Sequence, residues 1–221
     1  MSQIRLHHVP ASRSFRVLWL LAEMGEDCAI ETYDIAGGGL RSPDYLALNP
    51  SGRVPALEVD GRVMMESGAI VEYLCETRPD HGLGRLPGND ERADYLQWVH
   101  FAETQAHLIA NLNLQWVFLR DPAMRSKTVL KIEARRLEAT AQVLEAALAT
   151  RDWLLPSGFS AADVMMGFNL FALPVYVRME GFPNLAAYRK RIEARSGYQA
   201  ARERDGAQRF YAQDFYDPEA L

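Results

Sequence analysis

The chain has 221 residues and a mass of 24.9 kDa, room for one large domain or two small ones at roughly 100–200 residues each. Its 48% apolar and 24% charged residues exclude a disordered or fibrous chain and suffice for an ordinary core. The net charge of −5 gives no reason to expect a nucleic-acid partner, and no apolar run approaches the roughly 20 residues of a membrane helix.

Residues 1–8 lack the apolar stretch of a signal peptide. Residues 4–7, Ile-Arg-Leu-His, alternate and predict a strand. Val17, Leu18, Leu21 and Met24 then follow a helical period, with Trp19 and Leu20 widening the apolar face and Gly25 placed to end it. A second strand is predicted over 29–33. Runs 56–59 and 62–65 flank Asp60-Gly61, a strong hairpin signal, with an irregular segment before them. Ile70, Tyr73 and Leu74 mark another helix. Strand, helix, strand, hairpin, helix is an α/β order with a mixed sheet.

Residues 78–90 carry two prolines and three glycines and read as a linker. Beyond it every signal is helical. Tyr95, Trp98, Val99 and Ala102 form one stripe. Leu130, Ala134, Leu137, Ala141, Leu144 and Leu148 form a packing seam. Ser160 with Asp163 predicts a capping box, Pro174 ends or kinks the helix behind it, and Pro183 suits a first helical position. No repeat or low-complexity tract occurs. Cys28 and Cys75, the only cysteines, make neither a disulfide scaffold nor a zinc set. They are read as small buried hydrophobes, and a reducing, cytoplasmic address is expected.

Three motifs stand in order in the first part: Ser12-Arg13-Ser14-Phe15-Arg16-Val17-Leu18-Trp19-Leu20-Leu21-Ala22-Glu23, Asn49-Pro50-Ser51-Gly52-Arg53-Val54-Pro55-Ala56-Leu57, and Glu66-Ser67-Gly68-Ala69-Ile70-Val71-Glu72-Tyr73-Leu74. With Phe159-Ser160-Ala161-Ala162-Asp163 they resemble the soluble glutathione S-transferase family, the first motif its bacterial and fungal subgroup. The resemblance covers nearly the whole chain. It implies a thioredoxin-like glutathione-binding domain over 1–80, a linker over 81–90, and an all-α domain over 91–221 that forms the second-substrate pocket, usually in a homodimer. The implied activity is conjugation of glutathione thiolate to a small apolar electrophile, with glutathione as substrate and no metal. Alternatives on the same fold are a glutathione-dependent disulfide reductase, peroxidase or isomerase, and a non-catalytic binding or regulatory module.

The resemblance also assigns residues. The Val54-Pro55 peptide is expected to be cis, with the Val54 backbone pairing to the cysteinyl part of glutathione like an added strand. Ser67, at a helix start, is placed to hold the γ-glutamyl carboxylate, and Glu66 the ammonium. Arg53, with Arg41 as a second candidate, is placed for the glycine carboxylate. Ser12, with Ser14 as its rival, is placed to donate a hydrogen bond to the sulfur; Ser14 is also a helix N-cap candidate. His8, Phe101, Trp116 and Tyr176 are candidate linings of the second pocket. Neighbouring His7 and His8 point to opposite faces of a strand and do not suggest a shared metal.

Overall fold

A computed structural model describes residues 4–35, 37–208 and 210–217. Residues 1–3, part of the stretch searched for a signal peptide, lie outside it. The first elements are β1 (Arg5–His8), α1 (Ser14–Glu23), β2 (Ala29–Thr32), α2 (Pro43–Leu48), β3 (Ala56–Val59), β4 (Arg62–Met65) and α3 (Ser67–Thr77). Five helices follow: α4 (Arg92–Asn113), α5 (Lys127–Ala147), α6 (Ala161–Ala172), α7 (Pro183–Glu193) and α8 (Ser196–Asp205). The chain divides into two compact units. One holds the described residues up to Leu86 together with Glu193–Gln208; the other holds Pro87–Ile192 and the described residues after Gln208.

The first unit is built on a four-stranded sheet in the order β2-β1-β3-β4. β1 runs parallel to β2 and antiparallel to β3, and β3 antiparallel to β4. This is the thioredoxin-like arrangement that the motifs implied. Asp60 and Gly61 both have positive φ, 51° and 75°, as a two-residue hairpin turn of matching twist requires. The apolar breadth of α1 has its physical counterpart in burial: Phe15 and every residue from Val17 to Leu21 are buried.

Two elements escaped the sequence reading. α2 is six residues long, too short to show a helical period. Ser42 opens it by accepting from the Tyr45 amide at 3.2 Å, with Pro43 at the first helical position. α8 is polar along most of its length, yet it belongs to the first unit rather than to the helices before it. Its Tyr198 ring meets Phe15 and Trp19 edge-on, with centroids 5.6 and 5.0 Å apart. Gly197 lies so close to Glu23 that a Cβ there would fall 2.5 Å from the carboxyl carbon. Glu23 also accepts from Arg195 at 2.8 and 2.9 Å. Packing therefore carries a stretch of the expected all-α region back to the sheet.

In the second unit α4 packs on α5 and α6. Gln105 reaches Thr140 at 3.0 Å and Asn169 reaches the Ala102 carbonyl at 2.8 Å. The capping box forms: Ser160 Oγ accepts from the Ala162 amide, and Asp163 accepts from the Ser160 amide at 2.8 Å. Asp163 also accepts from the Leu154 amide at 3.0 Å and the Tyr188 hydroxyl at 2.8 Å. Burial pushes its carboxyl above the ordinary range, while these hydrogen bonds pull the other way. α6 ends at Ala172, and a tighter turn over Leu173–Val175 accommodates Pro174. Glu145 caps α7, accepting from the Asn184 and Leu185 amides at 3.0 and 2.8 Å. Ser160→Ala is expected to lower stability by about 1 kcal/mol, as a lost N-cap does, in a denaturant melt. An unchanged midpoint would show that the cap contributes nothing.

Candidate active site

Strand register brings the three motifs together. His7 pairs with Ala56, and Ala56 with Met65. The exit of β1 leading to Ser12, the entry to β3 at Val54-Pro55 and the exit of β4 at Glu66-Ser67 therefore share one end of the sheet. Loops at that end can serve one ligand.

The Val54-Pro55 peptide is cis. Its approach is held from the Arg53 carbonyl, which accepts from the Tyr45 hydroxyl at 2.5 Å and from Asn49 Nδ2 at 2.7 Å. The Val54 amide and carbonyl make no hydrogen bond among the described residues, so both remain to pair with an added strand. The Arg53 side chain is exposed. The Arg41 guanidinium lies over Gly52, where a Cβ would sit 2.7 Å from Nη1; with φ at +61° that position suits only glycine. Tyr45 and Asn49 were not singled out from sequence. Tyr45 sits on the short α2, and burial pushes its phenol up to about 12.

Glu66 adopts φ +71° and ψ +112°, a conformation that costs a non-glycine residue about 1–3 kcal/mol and that clusters at ligand clamps. It is exposed, and α3 begins directly behind it. Ser67 is buried and accepts from Arg16 Nη1 at 3.0 Å. Arg16 is fully buried, so a permanent positive charge stands behind the hydroxyl and the first amides of α3. Both features favour a carboxylate at this helix start. Arg16 lies within the first motif, but its part here depends on a contact across 51 positions that local pattern does not show.

Ser12 and Ser14 take different places. Ser14 is fully buried; its Oγ accepts from the Val9 amide at 3.3 Å and lies 2.8 Å from His8 Nδ1 and 2.7 Å from Ser12 Oγ. Ser12 is partly exposed and accepts from the Ser14 amide at 3.3 Å. Ser14 is not the N-cap: it is the first residue of α1, and the cap position falls on Arg13. His8 does not face an open pocket. It is fully buried, with Nε2 3.1 Å from the Asp205 carbonyl and 3.3 Å from Asp205 Oδ1. The opposite-face expectation holds, because His7 instead touches Tyr33 at 2.8 Å and Glu58 at 3.0 Å.

The other pocket candidates lie in the second unit. Phe101 meets Trp98 edge-on at 5.7 Å. The Trp116 and Tyr216 rings meet at a tilt of 38° with centroids 5.2 Å apart, and the Arg125 guanidinium lies 5.1 Å from the Trp116 ring centre. Tyr176 donates to Asn113 Oδ1 at 2.6 Å, and burial pushes its phenol far up. It also lines an open cavity of about 270 Å³ whose walls carry Lys131, Arg135, Arg178, Glu138 and Asp217. Ala134, Val177 and Phe215 complete its lining, so the cavity mixes charged side chains with apolar surface. Neither cysteine forms a disulfide and both are buried; burial pushes the Cys28 thiol up. Among the described residues no group of three or more His, Cys, Asp or Glu gathers as a metal site, and no helix is long and apolar enough to cross a membrane.

Known proteins agree with this geometry. Residues 1–76 match the family described as glutathione S-transferase, N-terminal domain, and residues 109–196 its C-terminal domain. The chain is 28% identical to glutathione S-transferase GstA of Escherichia coli O157:H7 over 92% of this chain and 99% of that protein. It is 30% identical to a glutathione S-transferase of Silene vulgaris over 89% and 95% of the two chains. Over a shorter stretch, 33% of this chain and 36% of the relative, it is 46% identical to maleylacetoacetate isomerase of Pseudomonas aeruginosa. Among solved structures, a sphingomonad glutathione S-transferase complexed with glutathione superposes with a TM-score of 0.80 at 28% identity, covering 92% of this chain and all of that one. The chain belongs to the glutathione S-transferase family, and glutathione is the substrate that family uses.

Proposed function

We propose that this protein conjugates the thiolate of glutathione to a small apolar electrophile, with Ser12 donating the hydrogen bond to sulfur. The observation that supports this most is the gathering of Ser12, Val54-Pro55 and Glu66-Ser67 at one end of the sheet through the β1–β3–β4 register. In this reading the Val54 backbone pairs with the cysteinyl residue. Ser67, the α3 amides and Arg16 receive the γ-glutamyl carboxylate, Glu66 its ammonium, and Arg53 or Arg41 the glycine carboxylate. Ser12 is preferred over Ser14 because Ser14 is enclosed by Val9, His8 and Ser12, whereas Ser12 keeps an exposed side. Phe101 and Trp116 supply apolar surface for the electrophile. A homodimer in the cytoplasm completes the proposal, after the habit of the family.

Two measurements test it. Thiolate absorbance of glutathione, followed against pH with the protein present, is expected to show a thiol pKa well below the free value of about 8.5. Binding with an unshifted pKa would point instead to a non-catalytic glutathione-binding module. Glu66→Ala is expected to weaken glutathione about tenfold by calorimetry, the scale of a charge-assisted hydrogen bond discounted for exposure. Equal affinity in the two proteins would remove Glu66 from the site.

The short match to an isomerase sustains one second reading. An isomerase adds glutathione and then expels it, so glutathione is not consumed. A stoichiometric fall in free thiol during turnover separates conjugation from isomerisation.

A further inference from the structure

Behind Ser12 runs an unbroken line of hydrogen-bonding groups, all within the first unit: Ser12 Oγ to Ser14 Oγ, 2.7 Å; Ser14 Oγ to His8 Nδ1, 2.8 Å; His8 Nε2 to Asp205, 3.1 Å to the carbonyl and 3.3 Å to Oδ1. Ser14, His8 and Asp205 are each at most 1% exposed. Asp205 is the last residue of α8, 197 positions from His8. Its Oδ1 also accepts from the Ala11 amide at 3.1 Å, holding Ala11 at φ +55° one residue before Ser12, and Arg202 holds Oδ2.

The partners fix the direction of this line. His8 Nε2 faces a carbonyl and a carboxylate, which only accept, so Nε2 carries a hydrogen. In the neutral imidazole, Nδ1 is then an acceptor, and Ser14 donates to it at 2.8 Å, a shorter contact than the 3.3 Å to its other acceptor, the Val9 carbonyl. Ser14 in turn accepts from Ser12, whose oxygen also accepts from the Ser14 amide at 3.3 Å and keeps one lone pair to accept from a ligand.

We infer that His8, backed by Asp205, takes up the proton of the glutathione thiol through the two serine hydroxyls. The inference rests on the glutathione reading above. The S–H proton passes to Ser12 Oγ, the Ser12 proton to Ser14 Oγ, and the Ser14 proton to His8 Nδ1. One S–H bond breaks, one N–H bond forms, and sulfur keeps the electron pair. Both hydroxyls reverse, so the O–H now on Ser12 donates to the thiolate it has created. Asp205 faces the imidazolium as a counter-charge and fixes its ring, the arrangement of a nucleophile, a base and an orienting carboxylate. After attack, the proton returns along the same hydroxyls to the leaving group or the anionic product. His8 and Asp205 touch no substrate atom; they are positioning residues that act through the serines.

The distinguishing property is a thiolate formed without a proton released. Glutathione binding is measured at about pH 7.5, roughly one unit below the free thiol pKa. Thiolate is counted by absorbance, and released protons by calorimetry in buffers of different ionisation enthalpy. The wild-type protein is expected to form thiolate while releasing close to no protons. Ser14→Ala, which cuts the line with the smallest change of shape, is expected to lower bound thiolate about tenfold, and whatever forms releases about one proton per thiolate. His8→Gln, which keeps a donor toward Asp205, is expected to do the same; should it not fold, Ser14→Ala decides. Release of about one proton per thiolate by the wild type, or wild-type thiolate and retention in Ser14→Ala, overturns the relay while leaving a glutathione transferase. Absence of glutathione binding in the wild type overturns the functional reading and the relay with it.

Discussion

Ser12→Ala is expected to separate thiolate content from turnover. A free thiol of pKa about 8.5 is roughly 3% ionised at pH 7, and a site that lowers it to about 6.5 raises this to about 75%, a gain near 25-fold. The weaker base is also a weaker nucleophile. With a Brønsted slope of about 0.4–0.5, two units forfeit some 6- to 10-fold in intrinsic reactivity. The variant should therefore lose about 25-fold in bound thiolate at pH 7, yet only about three- to fourfold in turnover. Above about pH 9, where both thiols are ionised, its more basic sulfur should react some 6- to 10-fold faster than the wild type. The check is a pair of pH profiles, thiolate absorbance and turnover with saturating glutathione. Parallel profiles without a crossing would show that Ser12 does not set the basicity of the sulfur. The same arithmetic leaves thiol activation a small part of the rate, with most of it left to holding the electrophile against sulfur.

Asp163→Ala is expected to cost about 4 kcal/mol of stability, far more than Ser160→Ala. The Asp163 carboxylate is buried and serves four donors on three segments: the Leu154 amide, the Ser160 amide and hydroxyl, and the Tyr188 hydroxyl. Removal leaves those donors inside the second unit without a partner at about 1–3 kcal/mol each, partly offset because a buried charge leaves with it. Asp163→Asn should recover little, since an amide NH₂ would confront N–H and O–H groups. Denaturant melts of the two variants beside Ser160→Ala give the test. A loss near 1 kcal/mol for Asp163→Ala would reduce its role to that of an ordinary cap.

What the sequence carried and what it withheld divide by distance along the chain. The Asp60-Gly61 turn, the Ser160 cap and the helical seams rest on neighbours within a few residues, and each was legible. So was the breadth of α1's apolar face, though not what covers it: α8 reads Ser-Gly-Tyr-Gln-Ala-Ala-Arg-Glu-Arg-Asp, with little apolar signal. The positions of Val54-Pro55 and Glu66-Ser67 could be found by motif. Their convergence is a matter of register, and the supports beneath them, Arg16 under Ser67 and Tyr45 under Arg53, depend on where distant elements land. His8 shows the limit most sharply. The sequence offers it as a candidate pocket lining; its partner is 197 residues away and makes it an interior residue.

The return of α8 also sets the order in which this chain can mature during synthesis. All four strands and α1 leave the ribosome first, yet Phe15 and Trp19 lack their Tyr198 cover until Glu193–Gln208 has emerged. By then the intervening helices, through α7, are already made. The unit begun first thus waits for α8 before it can close, and its nascent form displays aromatic surface for the time needed to translate more than a hundred residues. A stop codon ahead of α8 would leave the helix that covers the sheet, α1, open to aggregation, and would also take Tyr216 from the Trp116 ring in the second unit.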